Sequence, residues 1–153
     1  MGTKKLRKWD LRYLHLAKHI SLWSKDPNKQ VGAVIVGAHY ITGIGYNGLP
    51  RGLKDTPERL YNKDTKLSLI LHAEENALLS SGNQGKTIYT YPCMPCTRCL
   101  AKILQTEISR IVSIDPAYSK SSWKPGEVNE LAEEAGLIVT LYSSTDFCHS
   151  FTS

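Results

Sequence analysis

Apolar side chains recur at helical spacing near the start of the chain. Trp9, Tyr13, Leu16, Ala17, Ile20 and Trp23 share one face of a helix over residues 6–23, and Lys25-Asp26-Pro27-Asn28 stops it. Residues 31–36 and 40–46, rich in Val, Ile and Tyr, predict two strands joined by a short turn, most simply a hairpin. Positions 47–66 carry Gly, Pro, Asp and Lys without period and predict an irregular loop, too long to be mere connection. Beyond it the pattern alternates: a helix over 72–81 ending at Gly82, a strand over 87–91, a helix from near Cys96 to near Gln105, a strand over 108–114, a helix over 126–135 stopped by Gly136, and a strand over 137–142. A helix, a hairpin and then alternating helices and strands predict an α/β fold, a five-stranded mixed sheet with helices on both faces. Right-handed crossovers would set the helices that start near His72 and Cys96 side by side.

At 153 residues the whole chain, 1–153, reads as one domain, able to bury a core without disulfide staples. The longest apolar runs, 31–36 and 67–71, are far too short to span a bilayer, and the basic start is not followed by a cleavable apolar core. The expectation is a soluble, untargeted protein without a membrane partner. Three of the four cysteines crowd into seven positions (Cys93, Cys96, Cys99), a spacing that suits metal binding in a reducing compartment, so a cytoplasmic location is expected. Cys148 reads as an inert thiol, and His15, His19, His39 and His149 as ordinary surface or satisfied side chains. Trp9 and Trp23 are expected in the core or an interface. The net charge of +5 and pI near 9.0 suit either nucleic acid or small phosphorylated anions. No arginine-rich run marks a surface for a nucleic-acid polymer.

The chemistry concentrates in His72-Ala73-Glu74 and Pro95-Cys96-Thr97-Arg98-Cys99. Each is common alone; in this order they spell the signature of zinc-dependent nucleobase deaminases, His-x-Glu followed by Pro-Cys-x-x-Cys. One imidazole and two thiolates leave a fourth position on Zn2+ for water, which separates a catalytic zinc from a closed structural one. His72, Cys96 and Cys99 are the expected metal ligands, and Glu74 the catalytic proton carrier. Two residues apart, His72 and Glu74 would point about 200° from each other along a helix, so they can share a site only over its N-terminal end. That predicts a helix beginning at or just before His72, with 67–71 arriving as non-helical chain. Pro92-Cys93-Met94-Pro95-Cys96 spells the same cysteine motif. The second pair is preferred because residues 100–105 continue as an amphipathic helix, which leaves Cys93 at the end of a strand.

The chain also resembles the deoxycytidylate (dCMP) deaminases of the cytidine deaminase superfamily. Ser24-Lys25-Asp26-Pro27-Asn28, Gln30-Val31-Gly32-Ala33-Val34-Ile35-Val36, Gly43-Ile44-Gly45-Tyr46-Asn47-Gly48-Leu49-Pro50-Arg51-Gly52 and His72-Ala73-Glu74-Glu75-Asn76-Ala77 follow that family's order. The resemblance implies the cytidine-deaminase-like three-layer sandwich. It also implies hydrolytic deamination of dCMP to dUMP plus ammonia, feeding thymidylate synthesis. Asn47 would contact the deoxyribose, the backbone at Ala73 the pyrimidine edge, and Tyr118 the substrate pocket; for the phosphate, Arg98, Lys120 and Lys124 are candidates by charge alone. The resemblance further implies a homo-oligomer, a hexamer, activated by dCTP and inhibited by dTTP, with Mg2+ beside the bound triphosphate. Ser24, Lys25, Asn28, Gly48 and Arg51 would hold that effector. The chain departs from the pattern in the extra Cys-Met-Pro before the ligand pair and in Glu107, where a glycine is usual. Competing readings are a deaminase of another cytosine nucleotide or of a polynucleotide, and a non-catalytic zinc-stabilised module that binds nucleic acid.

Overall fold

A computed structural model describes residues 3–115 and 125–149. The sheet runs in the order β2-β1-β3-β4-β5. Strands β1 (Gly32–Val36) and β2 (Ile41–Tyr46) form the antiparallel hairpin, and β1 also pairs antiparallel with β3 (Thr87–Tyr91). Strands β4 (Arg110–Ile114) and β5 (Ile138–Tyr142) continue the sheet in parallel. The sheet is therefore mixed, as the alternation predicts.

Successive strand residues point to opposite faces, and each face carries its own apolar layer. Ala33, Ile35, Ile88 and Ile111 pack with Ala73 and Ala77 of α4 (Ala73–Ser81), Leu100 and Ile103 of α5 (Thr97–Leu104), and Val128 and Ala132 of α6 (Pro125–Glu134). Val34, Tyr89, Val112 and Ile114 face Leu11, Leu14, Ala17 and Ile20 of α1 (Thr3–Ser21), with Phe147 of α7 (Ser144–His149) in the same layer. Helices thus cover both faces.

A buried network ties α1 to three strands. Asp10, 1 % exposed, accepts from Arg110 Nη1 (2.8 Å) and Nη2 (2.5 Å), from the Tyr89 hydroxyl (3.0 Å) and from the Tyr142 hydroxyl (2.6 Å). Burial and the neighbouring Asp10 charge push both phenols well above their ordinary range.

On the opposite face a glycine sets the position of α4. A Cβ on Gly45 would stand 2.3 Å from the Ala73 carbonyl oxygen and 2.4 Å from the Ala77 nitrogen, so only glycine lets the helix lie this close to β2. Hydrogen bonds from Asn76 Nδ2 to the Tyr46 carbonyl (2.9 Å) and from Ser80 Oγ to the Ile44 carbonyl (3.0 Å) fasten it there.

The elements differ from the sequence pattern in four places. Within 47–66, expected as loop, lie α2 (Pro57–Tyr61) and the start of α3 (Lys63–Leu69). The residues that read as loop formers are their caps: Thr56 Oγ1 accepts from Arg59 N at 3.3 Å ahead of Pro57, and Asn62 Oδ1 accepts from Thr65 N at 3.1 Å. Consequently Leu67–Leu69 is helical, and only Ile70 and Leu71 carry non-helical chain up to His72. Helix α1 ends at Ser21, which leaves Trp23 beyond it; Trp9 and Trp23 are both half-exposed and not core. Helix α7, whose six residues fall below the length at which periodicity is readable, is capped by Ser143 Oγ accepting from Asp146 N at 3.1 Å.

Candidate metal and active site

Two helix starts meet at one corner of the sheet. His72 is the N-cap of α4 and Cys96 the N-cap of α5, both with extended backbone, so their side chains lie over the open N-terminal turns. Just before His72, Gly48 and Leu71 exchange backbone hydrogen bonds of 3.0 and 2.8 Å, which fixes the approach of the chain. His72 Nδ1 stands 3.5 Å from Cys96 Sγ and 3.3 Å from Cys99 Sγ, and all three donor atoms lie within 4.8 Å of one another. Tetrahedral zinc with bonds of about 2.05 Å to nitrogen and 2.3 Å to sulfur would hold such atoms about 3.6 Å apart. The donor set therefore fits zinc in kind and in spacing. Among the described residues this is the one such cluster, and no disulfide competes for its sulfurs.

The electrostatics suit a cation. Cys99 shares a hydrogen bond with Cys96 that, together with the His72 imidazole, holds the Cys96 thiol down at about 4. The same bond and burial push Cys99 up, and the bond to Cys96 raises His72. Thiolate character on one sulfur, with the second at a helix N-terminus, is the state that a divalent cation completes by displacing the remaining proton.

Glu74 lies in the first turn of α4, 4 % exposed, with Oε2 3.9 Å from Cys99 Sγ. It stands beside the three donors without belonging to their cluster. Burial pushes its carboxyl above the usual carboxylate range, toward the pKa a neutral-pH proton carrier needs.

Glu75, on the next position, makes a clamp. Its Oε1 accepts from the His72 backbone N–H (3.1 Å) and from Arg98 Nη2 (2.6 Å), while Oε2 pairs with Lys102. One carboxylate thus joins the first turn of α4 to α5. Burial pushes the Glu75 carboxyl up, but Lys102, the His72 N–H and Arg98 outweigh it and hold the group at about 2.

A cavity of about 180 Å³ opens beside His72 and Glu74, lined also by Asp26, Lys29, Asn47, Lys66 and Cys93. Cys93 is buried on this wall, its thiol pushed up by burial, and stands outside the donor cluster. Ala73, fully buried, lines the cavity as well. Asn47 does so with its side chain already engaged: Oδ1 accepts from Val31 N (2.8 Å) and Nδ2 donates to the Lys29 carbonyl (2.8 Å). Tyr118, Lys120 and Lys124 lie outside the described residues. Arg98, a phosphate candidate by charge, is turned to Glu75 and does not line the cavity.

None of the five residues expected to hold an effector lines this cavity. Ser24 is buried and donates to the Asn47 carbonyl (2.8 Å), and Gly48 is bridged to Leu71; Lys25 is exposed and paired with Asp55 (2.8 Å), and Asn28 and Arg51 are exposed. Three residues that the sequence reading passed over belong to the site. Glu75 could have been found, since His72-x-x-Glu75 has the spacing of a capping box. Lys29 and Lys66 meet only through the fold, and nothing local marks them.

Residues 7–114 match the family model for the cytidine and deoxycytidylate deaminase zinc-binding region. The chain belongs to this family. An uncharacterised deaminase in the luxG 3′ region of Aliivibrio fischeri is 40 % identical over 108 residues, covering 69 % of this chain and 72 % of that one. The deoxycytidylate deaminase of Saccharomyces cerevisiae is 36 % identical over 149 residues, 90 % of this chain but 46 % of the yeast protein. The human deoxycytidylate deaminase is 37 % identical over 122 residues, 74 % of this chain and 68 % of the human one. The fold is shared with the dCMP deaminase of cyanophage S-TIM5 in complex with dCMP and dUMP (TM-score 0.69, 21 % identity, 93 % of this chain and 99 % of that one). It is shared too with Acinetobacter baumannii RibD (TM-score 0.60, 23 % identity, 95 % of this chain and 38 % of that one). Fold and family thus agree with the five-stranded mixed sheet read from the sequence.

Proposed function

We propose that this member of the deaminase family is a zinc-dependent hydrolase that converts dCMP to dUMP and ammonia. The observation that carries the reading is a buried carboxylate, Glu74, beside a His72, Cys96, Cys99 donor set at the wall of a cavity. The names of the yeast and human relatives supply the substrate. His72, Cys96 and Cys99 would hold the zinc, leaving one position open. When bound, the ion supplies a water ionised near neutral pH as the nucleophile.

The protein's own groups do the rest. Ala73 and the cavity wall would hold C4 of the cytosine ring at the metal corner. Glu74 accepts the proton released as the C4–O bond forms and delivers it to ring N3. It then takes the second proton, from the new C4 hydroxyl, and passes it to the exocyclic amine, so that the C4–N bond breaks, the C4 carbonyl forms and ammonia departs. A carboxyl raised by burial gives up and regains a proton with little driving force lost in either direction.

The reading extends to regulation. Activation by dCTP and inhibition by dTTP, with Mg2+ beside the triphosphate, in a hexamer that feeds thymidylate synthesis, is supported by the family resemblance of segments 24–28 and 48–52. Hydrogen bonds through Ser24 and Asn47 join those segments next to the cavity. A cytoplasmic setting is supported by the free thiols, and no helix among the described residues is long and apolar enough to cross a membrane.

The test is ammonia release from cytidine, dCMP, CMP and dCTP by the zinc-loaded protein, each with and without dCTP and dTTP as effectors. The expected result is fastest turnover of dCMP, with activity curves shifted in opposite directions by the two triphosphates. Preference for cytidine would overturn the substrate, and curves that neither triphosphate moves would overturn the regulation.

A further inference from the structure

The three donors of the metal corner come from segments 24 positions apart, and neither segment alone sets the distance between them. His72 is the N-cap of α4, while Cys96 and Cys99 are the N-cap and third residue of α5, so the spacing of nitrogen from sulfur is the spacing of two helix starts. Ala73 and Ala77 share an apolar layer with Leu100 and Ile103, which draws the helices together. Apolar burial is non-directional. It leaves the sliding and rotation of one helix start against the other to be fixed by a contact that has direction.

Glu75 supplies that contact. Its side chain is 9 % exposed, and among the described residues it makes the two ion pairs that join α4 to α5. Oε1 accepts from the His72 backbone N–H (3.1 Å) and from Arg98 Nη2 (2.6 Å). Arg98 stands between the two sulfur donors in Cys96-Thr97-Arg98-Cys99, so one oxygen holds the backbone of the nitrogen donor and the turn that carries both sulfurs. Oε2 pairs with Lys102, three positions beyond Cys99 on α5. Both oxygens are engaged through charge-assisted bonds, which fixes the plane of the carboxylate. With this clamp made, His72 Nδ1 stands 3.5 and 3.3 Å from the two sulfurs, close to the separation that zinc asks for.

We propose that Glu75 is the positioning residue of the metal site: through the His72 N–H and Arg98 it fixes the imidazole against the thiol pair, and so sets the affinity for zinc. This rests on the zinc-dependent reading above. A partner that orients metal ligands from outside the coordination sphere is typically worth about 10–100-fold in metal affinity. A clamp that only stabilised the fold would act alike with and without the ion, whereas one that places the donors acts on metal binding itself.

The experiment measures zinc dissociation constants, by competition with a chromophoric chelator, on wild type, Glu75→Gln, Arg98→Met, Arg98→Lys and Lys102→Met. Asp10→Asn/Arg110→Met serves as a variant altered far from the metal corner. Co2+ replaces zinc in a second series, because its visible absorption reports the arrangement of its donors. Glu75→Gln and Arg98→Met are each expected to weaken zinc binding at least about tenfold and to change the Co2+ spectrum. Arg98→Lys is expected to restore most of the affinity, and Lys102→Met to stay within about threefold of wild type, as for a half-exposed pair. The distant variant is expected to keep both the affinity and the spectrum. Arg98 and Lys102 are half-exposed and can turn to water when Glu75 is replaced, and Arg98→Met carries the test should Glu75→Gln not fold. Wild-type affinity and spectrum in Glu75→Gln and Arg98→Met would overturn the proposal. So would an equal loss in the distant variant, which would make the effect one of stability alone. Turnover of dCMP is followed on the same samples: a wild type that binds zinc without turnover would overturn the dCMP reading while the affinities still decide the clamp, and a wild type that binds no zinc would overturn both.

Discussion

A carboxylate can carry protons at neutral pH only if its acid form is within reach, and burial shifts Glu74 in that direction. Glu74→Gln keeps the shape of the side chain and removes the titration. The variant is expected to bind zinc as wild type does while kcat falls by roughly 10²–10⁴-fold, read by metal analysis and turnover on the same sample. The cysteines divide by the same measurement. Cys96→Ser and Cys99→Ser each remove a donor from the cluster and are expected to lose bound zinc, whereas Cys93→Ser, outside the cluster, is expected to retain it. At this scale the sequence was informative where chemistry demands close spacing: His72 with Glu74, and Cys96 with Cys99, sit within three positions of each other. It was silent on Lys29 and Lys66, because their common wall is made by a loop and a helix 37 positions apart in the chain.

Helix starts are the working units of this site, and Glu75 joins the two of them. Its carboxyl is held from an ordinary 4.5 down to about 2. A group whose folded pKa is depressed stabilises the fold fully above its unfolded value, and that contribution fades as the pH falls from about 4.5 toward 2. Arg98 and Lys102 are half-exposed, so screening keeps the contribution to about 1–2 kcal/mol. Metal-free wild type is accordingly expected to be more stable than metal-free Glu75→Gln by that amount at pH 7, with the two denaturation curves converging below pH 3. Helix positions were readable because 3.6-residue periodicity and Gly stops mark them. Helices α2 and α3 were not, because at five and seven residues they are specified by caps at Thr56 and Asn62 and show no apolar stripe.

For the whole molecule, the order of elements carried the topology: a hairpin followed by alternating helices and strands admits few sheets. What no local pattern announces is the fastening of α1. Asp10 meets partners 79, 100 and 132 positions away, on β3, β4 and β5. Asp10→Asn leaves Arg110 without its counter-charge, and a loss of about 3–5 kcal/mol is expected, seen as a melting temperature lower by on the order of 10 °C. Asp10→Asn/Arg110→Met, which removes the stranded charge, is expected to recover part of that loss. The two helix starts at the metal corner have a further consequence during synthesis. The imidazole leaves the ribosome 24 positions ahead of the first sulfur, and the two halves come together only once β3 has been laid beside β1. A nascent chain thus carries its imidazole first and its thiol pair second, and the three donors can close around an ion only after α5 has emerged and docked beside α4.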